Sequence, residues 1–268
     1  MKYVLITGGA SGMGKSTAEK LAKEGYFVFS CDIKKCEERE NILQIQTDVT
    51  DMKSVENAFD IVCKYTDKLD AVINFAGIIM MNSLIEISEE DFMRIFNINL
   101  FGTYRVNKTF FPMIEKGKGK IIITTSELAK NKILPFNAIY SISKKALDAY
   151  AQGLTMELGL LDIPVITLRP GAVETPILND SNKAMNDLHS NTTLFQNSIN
   201  KFKSIVDNEQ GGTIPSSKIA DLVYKILNKK KPKVAYAKNT SIKLKMLNLV
   251  STKMQIKILK TILNKKES

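Results

Sequence analysis

An apolar run, Tyr3-Val4-Leu5-Ile6, stops at Thr7 and gives way to Gly8-Gly9-Ala10-Ser11-Gly12-Met13-Gly14, after which residues recur with a helical period. Few features constrain a chain so tightly. Glycine tolerates the tight turn, and without a Cβ it lets backbone N–H groups at a helix N-terminus approach a pyrophosphate. A glycine-rich turn alone is also an ordinary strand-to-helix connection, so its surroundings decide. Here a second β-branched run ends in Asp32, 20 residues beyond Gly12, where a carboxylate can accept hydrogen bonds from ribose hydroxyls.

The same alternation continues along the chain. Short β-branched runs near 2–7, 26–31, 42–47, 69–74, 119–125, 163–168 and 232–237 predict strands. Helical periodicity falls near 13–24, 51–66, 89–115, 138–160 and 216–229. Strands alternating with helices build an α/β fold, a doubly wound parallel sheet with helices on both faces. Gly25 follows Lys23-Glu24 as a helix C′ glycine, and Pro164 sits early in its run, where a missing N–H does least harm. Residues 1–238 read as one catalytic domain and 239–268 as a helical C-terminal extension. The stretch 176–215 reads as a long irregular segment whose Leu188, Leu194, Phe195 and Phe202 suit a substrate lid.

Composition excludes several function classes. With 44% hydrophobic and 25% charged residues over 268 positions, the balance is that of a soluble globular protein. The first apolar run is too short for a signal segment or a membrane span, so a cytoplasmic protein is expected. Cys31, Cys36 and Cys63 form no CxxC pair and His189 is the only histidine, which offers little to a disulfide framework, a metal site or a Ser-His-Asp triad.

The spacing Thr-Gly-x-x-x-Gly-x-Gly, taken with motifs farther on, resembles the short-chain dehydrogenase/reductase superfamily over about residues 3–176. That resemblance implies a Rossmann-type fold and a nicotinamide dinucleotide held by Gly8, Ser11, Gly12, Met13 and Gly14. Asp32 would repel a 2′-phosphate, and Ser11 stands where NADP users of the family often carry Arg or Lys. NAD is therefore favoured over NADP, with Lys34 and Lys35 as cations that could accept the phosphate instead. Asp48-Val49 resembles the pair that contacts adenine. Asn74-Phe75-Ala76-Gly77 resembles the family's strand-end motif, with Phe75 in place of its second Asn. Arg169-Pro170-Gly171-Ala172-Val173-Glu174-Thr175 resembles the segment whose backbone near Val173 and Thr175 hydroxyl contact the nicotinamide amide and the phosphates; Pro170 and Gly171 make its turn.

Tyr140-Ser141-Ile142-Ser143-Lys144 opens a helical segment, and a spacing of four puts Tyr140 and Lys144 on one face. A free phenol titrates near about 10; a neighbouring ammonium favours the phenolate and lowers that value. Such a pair recurs by chance in many helices, and its place after the glycine turn, Asp32 and Asn74–Gly77 is what points to acid/base chemistry. The resemblance implies that Asn99 holds a water leading to Lys144 and that Ser126 hydrogen-bonds the substrate oxygen. Ser126 lies one residue farther from Tyr140 than the family's usual spacing, which falls on Glu127; Thr125 is the other hydroxyl at hand.

The expected activity is interconversion of a secondary alcohol and a ketone or other carbonyl with NAD(H). The alternatives are an NADP(H)-dependent 3-oxoacyl or carbonyl reductase and a non-catalytic dinucleotide-binding regulator. Ile79-Met80-Met81, Leu128, Ile133-Leu134-Pro135-Phe136 and Ile177-Leu178 adjoin these motifs, an apolar lining suited to a lipophilic alcohol or ketone. A homodimer or homotetramer is expected.

Residues 1–228 carry 26 basic and 27 acidic side chains, whereas 229–268 carry twelve lysines against Glu267. Over 241–264 the periodicity is helical: Met254, Ile256, Ile258, Leu259, Ile262 and Leu263 share one broad arc, opposite Lys253, Lys257 and Lys260. Such a helix can pack on its own enzyme, on a sister subunit or on an anionic membrane surface. Nucleic acid is not expected, since no aromatic residue is interleaved with these lysines.

Overall fold

Nine strands alternate with ten α-helices among the described residues of the computed structural model, which are 1–34, 39–209 and 212–263, without the side chains of 177–182 and 204–209. Seven strands form one parallel sheet: β1 (Lys2–Thr7), β2 (Tyr26–Asp32), β3 (Ile42–Gln46), β4 (Ala71–Asn74), β5 (Lys120–Thr124), β6 (Val165–Pro170) and β9 (Ala235–Lys238). Their spatial order is β3-β2-β1-β4-β5-β6-β9. The remaining two, β7 (Val173–Glu174) and β8 (Ile214–Pro215), pair with each other beside it. The order reverses at β1 and β4, whose registers align Thr7 with Asn74, and a doubly wound sheet binds ligands in the crevice at such a switch point.

Alternation along each strand divides the apolar residues between two layers. Leu5, Phe29, Val72, Ile121 and Ile123 meet α2 (Met52–Cys63), α4 (Thr103–Gly117) and α5 (Ala138–Gly159) on one side. Val4, Ile6, Val28, Ile73 and Ile122 meet α1 (Gly12–Lys23) and α8 (Ser217–Leu227) on the other. Each such side chain, fully buried, contributes about 1.5–3 kcal/mol, so two complete layers fix the strand ends firmly in space. Gly25 takes a φ of 82° after α1, the left-handed turn its place in the sequence predicts.

Three expectations need correction. The single helix expected over 89–115 is interrupted: α3 (Glu89–Phe96) leads into a π-helical stretch, Asn97–Gly102, before α4. The cause is local, because Asn99 turns inward to backbone groups and Gly102 lies where a Cβ would meet Val49 Cγ2 at 2.7 Å. The stretch 176–215 is largely helical, as α6 (Pro176–Asn191) and α7 (Gln196–Glu209). Its Leu188, Ile199 and Phe202 bury against Met81 and Phe136 in a third apolar cluster that a strand-and-helix reading had no reason to place. The tail is two helices, α9 (Ile242–Leu247) and α10 (Thr252–Leu263), rather than one. Asn248 leaves the helix to bond the distant Lys132 and Asn131, and the Ser251 hydroxyl accepts the Met254 N–H to restart it.

The α6–α7 turn is clasped to the segment before α3. Glu86 accepts hydrogen bonds from the Thr192 hydroxyl at 2.7 Å, the Thr193 N–H at 2.8 Å, the Thr193 hydroxyl at 3.0 Å and the Leu194 N–H at 3.0 Å. These donors, the Leu194 N–H foremost, pull the carboxyl down from 4.5 to about 2. A depressed carboxyl stabilises the fold above its ordinary value and loses that stabilisation as pH falls toward the depressed one. Glu86→Ala is therefore expected to increase cleavage at 192–195 in limited proteolysis several-fold at pH 7, and the difference from wild type should shrink between pH 4.5 and 2.

Candidate active site

The turn between β1 and α1 closes by backbone contact. Gly8 and Gly12 have φ of 69° and 51°, which only glycine adopts without strain, and a Cβ on Gly14 would stand 2.0 Å from the Gly8 carbonyl oxygen. Asp32, at the end of β2, faces this turn: its Oδ2 accepts the Ala10 N–H at 3.0 Å and its Oδ1 the Lys34 N–H at 3.0 Å. The carboxylate is thus fixed in direction beside the glycines. Lys35 and Cys36 lie outside the described residues.

A cleft of about 1040 Å³ opens over this turn and along the strand ends. Gly8, Ser11, Gly12, Met13, Gly14, Asp32, Asp48, Val49, Ala76, Gly77 and Thr175 all line it, as the sequence predicts for a cofactor. Asp48 is held by Thr50, whose N–H and hydroxyl both donate to its Oδ1. Thr175 precedes α6 and lies across from Gly12, where an added Cβ would meet the Thr175 side chain at 3.0 Å. The bare glycine cradle, the oriented carboxylate and the length of the cleft fit an adenine dinucleotide.

Six residues of the predicted cofactor set, Asn74, Tyr140, Lys144, Pro170, Gly171 and Val173, stand apart from that lining. Asn74 is buried with its Nδ2 donating to Asn107 Oδ1 at 2.8 Å, so its side chain ties β4 to α4. Pro170 ends β6. Gly171 donates its N–H to the Lys238 carbonyl at 2.8 Å, and Val173 is buried in β7. Pro170, Gly171 and Val173 carry the chain from the sheet to Thr175 and α6.

Beyond Gly77 the character of the site changes. A Cβ there would approach Asn99 Oδ1 at 3.1 Å and Lys144 Nζ at 3.4 Å, so the glycine lets two polar side chains close on the strand end. Asn99 accepts the Ile78 N–H at 2.8 Å and donates to the Ile78 carbonyl at 3.1 Å and the Ser143 hydroxyl oxygen at 3.0 Å. The Ser143 hydroxyl in turn donates to the Tyr140 carbonyl at 2.8 Å. Asn99 therefore locks the strand end to the first turn of α5. Sequence reasoning missed Ser143; its place immediately before Lys144 is the signal that could have found it.

Lys144 is buried, and its ammonium donates to the Thr124 carbonyl at 3.2 Å while lying 5.9 Å from the Tyr140 ring centre. Burial lowers its titration from 10.5 to about 8. Burial also raises the Tyr140 phenol to about 12, and a hydrogen bond from Ser126 opposes that rise. Ser126 is the hydroxyl that meets Tyr140. Its oxygen accepts the Leu128 N–H at 3.2 Å, which leaves the hydroxyl proton to donate. Thr125 turns the other way, toward Asp148 Oδ1 at 3.2 Å, and Glu127 accepts the Ser241 N–H at 2.6 Å. Phe136, at the entrance to α5, holds a φ of 64°, a strained backbone for a bulky residue. It packs edge-on against Phe195, which precedes α7, and Phe202 within it. Met81 joins them and Ile79 packs alongside, while Ile133 is exposed and the Ile177 and Leu178 side chains lie outside the described set.

The arrangement is a glycine-floored cleft at the switch point of the sheet, with the buried ammonium of Lys144 behind Gly77 and a phenol and a hydroxyl beside it. A family model described as short chain dehydrogenase matches residues 2–186. A 3-ketodihydrosphingosine reductase of Bacteroides thetaiotaomicron is 28% identical over 231 residues, covering 86% of this chain and 85% of the relative. An NADPH-dependent 1-acyldihydroxyacetone phosphate reductase of Schizosaccharomyces pombe is 33% identical over 183 residues, 66% of this chain and 61% of the relative. Among solved structures, a Brucella melitensis 3-ketoacyl-(acyl-carrier-protein) reductase complexed with NADH superposes with a TM-score of 0.72 at 21% identity, over 88% of this chain and 96% of that one. A ligand-free Thermoplasma acidophilum aldohexose dehydrogenase gives 0.73 at 21% identity, over 94% and 95%.

The shifted lysine has a consequence for stability. Below pH 8 the folded chain carries a buried charge that the unfolded chain solvates freely, and that destabilisation fades as pH rises from about 8 to 10.5. Lys144→Met is therefore expected to melt a few degrees higher than wild type at pH 7, with the gap closing by pH 10.5. Calorimetry across that range measures both.

Proposed function

Because this chain belongs to the short-chain dehydrogenase family of oxidoreductases, we propose that it interconverts a secondary alcohol and a ketone on a lipophilic substrate, with NAD(H) as cofactor. The observation that carries the reading is the meeting of Tyr140, Ser126 and Lys144 behind Gly77, a residue of the same cleft wall that presents Asp32. The bound nicotinamide supplies or accepts the hydride. In reduction, Ser126 donates a hydrogen bond to the carbonyl oxygen and Tyr140 gives its proton to that oxygen. In oxidation, Tyr140 as phenolate removes the hydroxyl proton. Lys144 keeps a positive charge near the phenol, favouring the phenolate in a low-dielectric site. Asn99 acts through others, as a positioning residue for Ile78 and α5.

Asp32 supports NAD(H). Its carboxylate points at the position a ribose would occupy and would meet a 2′-phosphate with like charge. Gly8, Ser11, Gly12, Met13 and Gly14 would hold the pyrophosphate, Asp48 and Val49 the adenine, and Ala76, Gly77 and Thr175 the nicotinamide half. The lipophilic substrate is supported by the apolar cluster that Met81 and Phe136 form with α6 and α7, and two of the relatives are named for lipid ketones.

NADH oxidation measured with 3-keto sphingoid, 3-oxoacyl and plain long-chain ketones tests the reading. Tyr140→Phe is expected to lower kcat by about 100- to 10,000-fold with NADH binding unchanged. Near-wild-type turnover in that variant would remove Tyr140 from the mechanism. Asp32→Ala is expected to raise the kcat/KM ratio of NADPH over NADH by at least about tenfold; an unchanged ratio would move cofactor choice elsewhere.

A further inference from the structure

The two tail helices leave an apolar surface uncovered. Only Leu259 and Leu263 of α10 reach the third cluster, where α10 packs on α7. Ile242, Met246, Leu249, Met254, Ile258 and Ile262 remain exposed, Leu249 by 87% and Ile242 by 73%. Met254, Ile258 and Ile262 recur every four residues and so form one ridge along α10. Isolated exposed apolar side chains are ordinary, but with Ile256, itself half-exposed, seven within 21 residues of two short helices form a patch that calls for an occupant.

The charge of the same segment selects that occupant. Residues 229–263 contain ten lysines and neither aspartate nor glutamate. Lys253, Lys257 and Lys260 stand on the side of α10 away from the apolar ridge. A second copy of this chain would bring the same lysine-rich segment close to itself across a two-fold axis, with no acidic side chain of 229–263 to offset the like charge. An anionic bilayer satisfies both properties at once, taking the apolar ridge among its acyl chains and the ammonium groups among its phosphates.

We propose that α9 and α10 dock this enzyme on anionic membrane surfaces. The surface adjoins the reacting centre by direct bonds. The Lys132 N–H donates to Asn248 Oδ1 at 2.8 Å, Asn248 Nδ2 donates to Asn131 Oδ1 at 3.0 Å, and Lys132 Nζ donates to the Val250 carbonyl. Glu127 accepts the Ser241 N–H at 2.6 Å. Both ends of α9 are thus fastened to the segment that follows Ser126, while α10 lies on the lid. Docking places the lid and the mouth beside the bilayer, the source of a lipophilic ketone. That last step rests on the substrate class proposed above; the docking itself does not.

Co-sedimentation of the full-length protein with phosphatidylglycerol-containing vesicles and with pure phosphatidylcholine vesicles tests the docking without any turnover. Wild type is expected to bind the anionic vesicles at physiological salt, to release as salt rises, and to leave the neutral ones in solution. The triple variant Leu249→Glu, Met254→Glu, Ile258→Glu and the double variant Lys253→Glu, Lys257→Glu are each expected to bind at least about tenfold more weakly, with NADH binding unchanged. Absence of wild-type binding to anionic vesicles overturns the proposal, as does undiminished binding by either variant. A triple variant that turns a wild-type dimer into a monomer in sedimentation assigns the patch to a subunit interface and overturns it as well. Vesicle binding without ketone reduction would leave the docking standing and refute the activity.

Discussion

A single buried ammonium organises the reacting end of this protein. Lys144 comes off α5 into the space where β4 and β5 end, and the Thr124 carbonyl accepts a hydrogen bond from its ammonium. Little water reaches it, so its charge is screened far less than that of an exposed lysine. Keeping it there makes demands on several elements. Gly77 must lack a side chain, Asn99 must bridge Ile78 to Ser143, and the helix carrying Asn99 must loosen into π geometry to bring the amide inward. None of these features favours folding by itself. The two apolar layers around the sheet supply the stability against which they are held.

The same burial separates the two groups that must act together. It lifts the phenol to about 12 and drops the ammonium to about 8, so the ligand-free site rests with a neutral tyrosine. Burial is the largest cause of both shifts, and a charge placed near either group would move its titration further. A positive charge arriving beside Tyr140 favours its ionisation, and a neutral ring does not.

Much of this was legible in the residues. The glycine turn announces itself because glycine takes positive φ at no steric cost and lets the Gly14 backbone close on Gly8, and Asp32 because it ends the next strand. Tyr140 and Lys144 are tied by helical spacing. What escaped is set by contacts distant in sequence. Ser126 itself was legible beside Thr125 and Glu127, while the contacts that set it apart were not: Asp148 takes the Thr125 hydroxyl and the Ser241 N–H takes the Glu127 carboxylate. Asn74 belongs to a motif associated with the cofactor, yet Asn107, a full helix away, takes its amide. The lid showed scattered apolar residues without a clear period, because its helices bury narrow stripes against Phe136 and Met81. The tail's periodicity predicted one helix, and the bonds of Asn248 to Asn131 and Lys132 broke it in two.

The electrostatic account of Tyr140 can be tested without knowing the substrate. Its phenol can be titrated by ultraviolet difference spectroscopy, with Tyr140→Phe as the blank, in the free enzyme and with saturating NAD⁺ or NADH. The account predicts ionisation near pH 12 in the free enzyme, a value lowered by at least about one pH unit with NAD⁺, and a much smaller change with NADH. A titration that stays in place when NAD⁺ binds would contradict it.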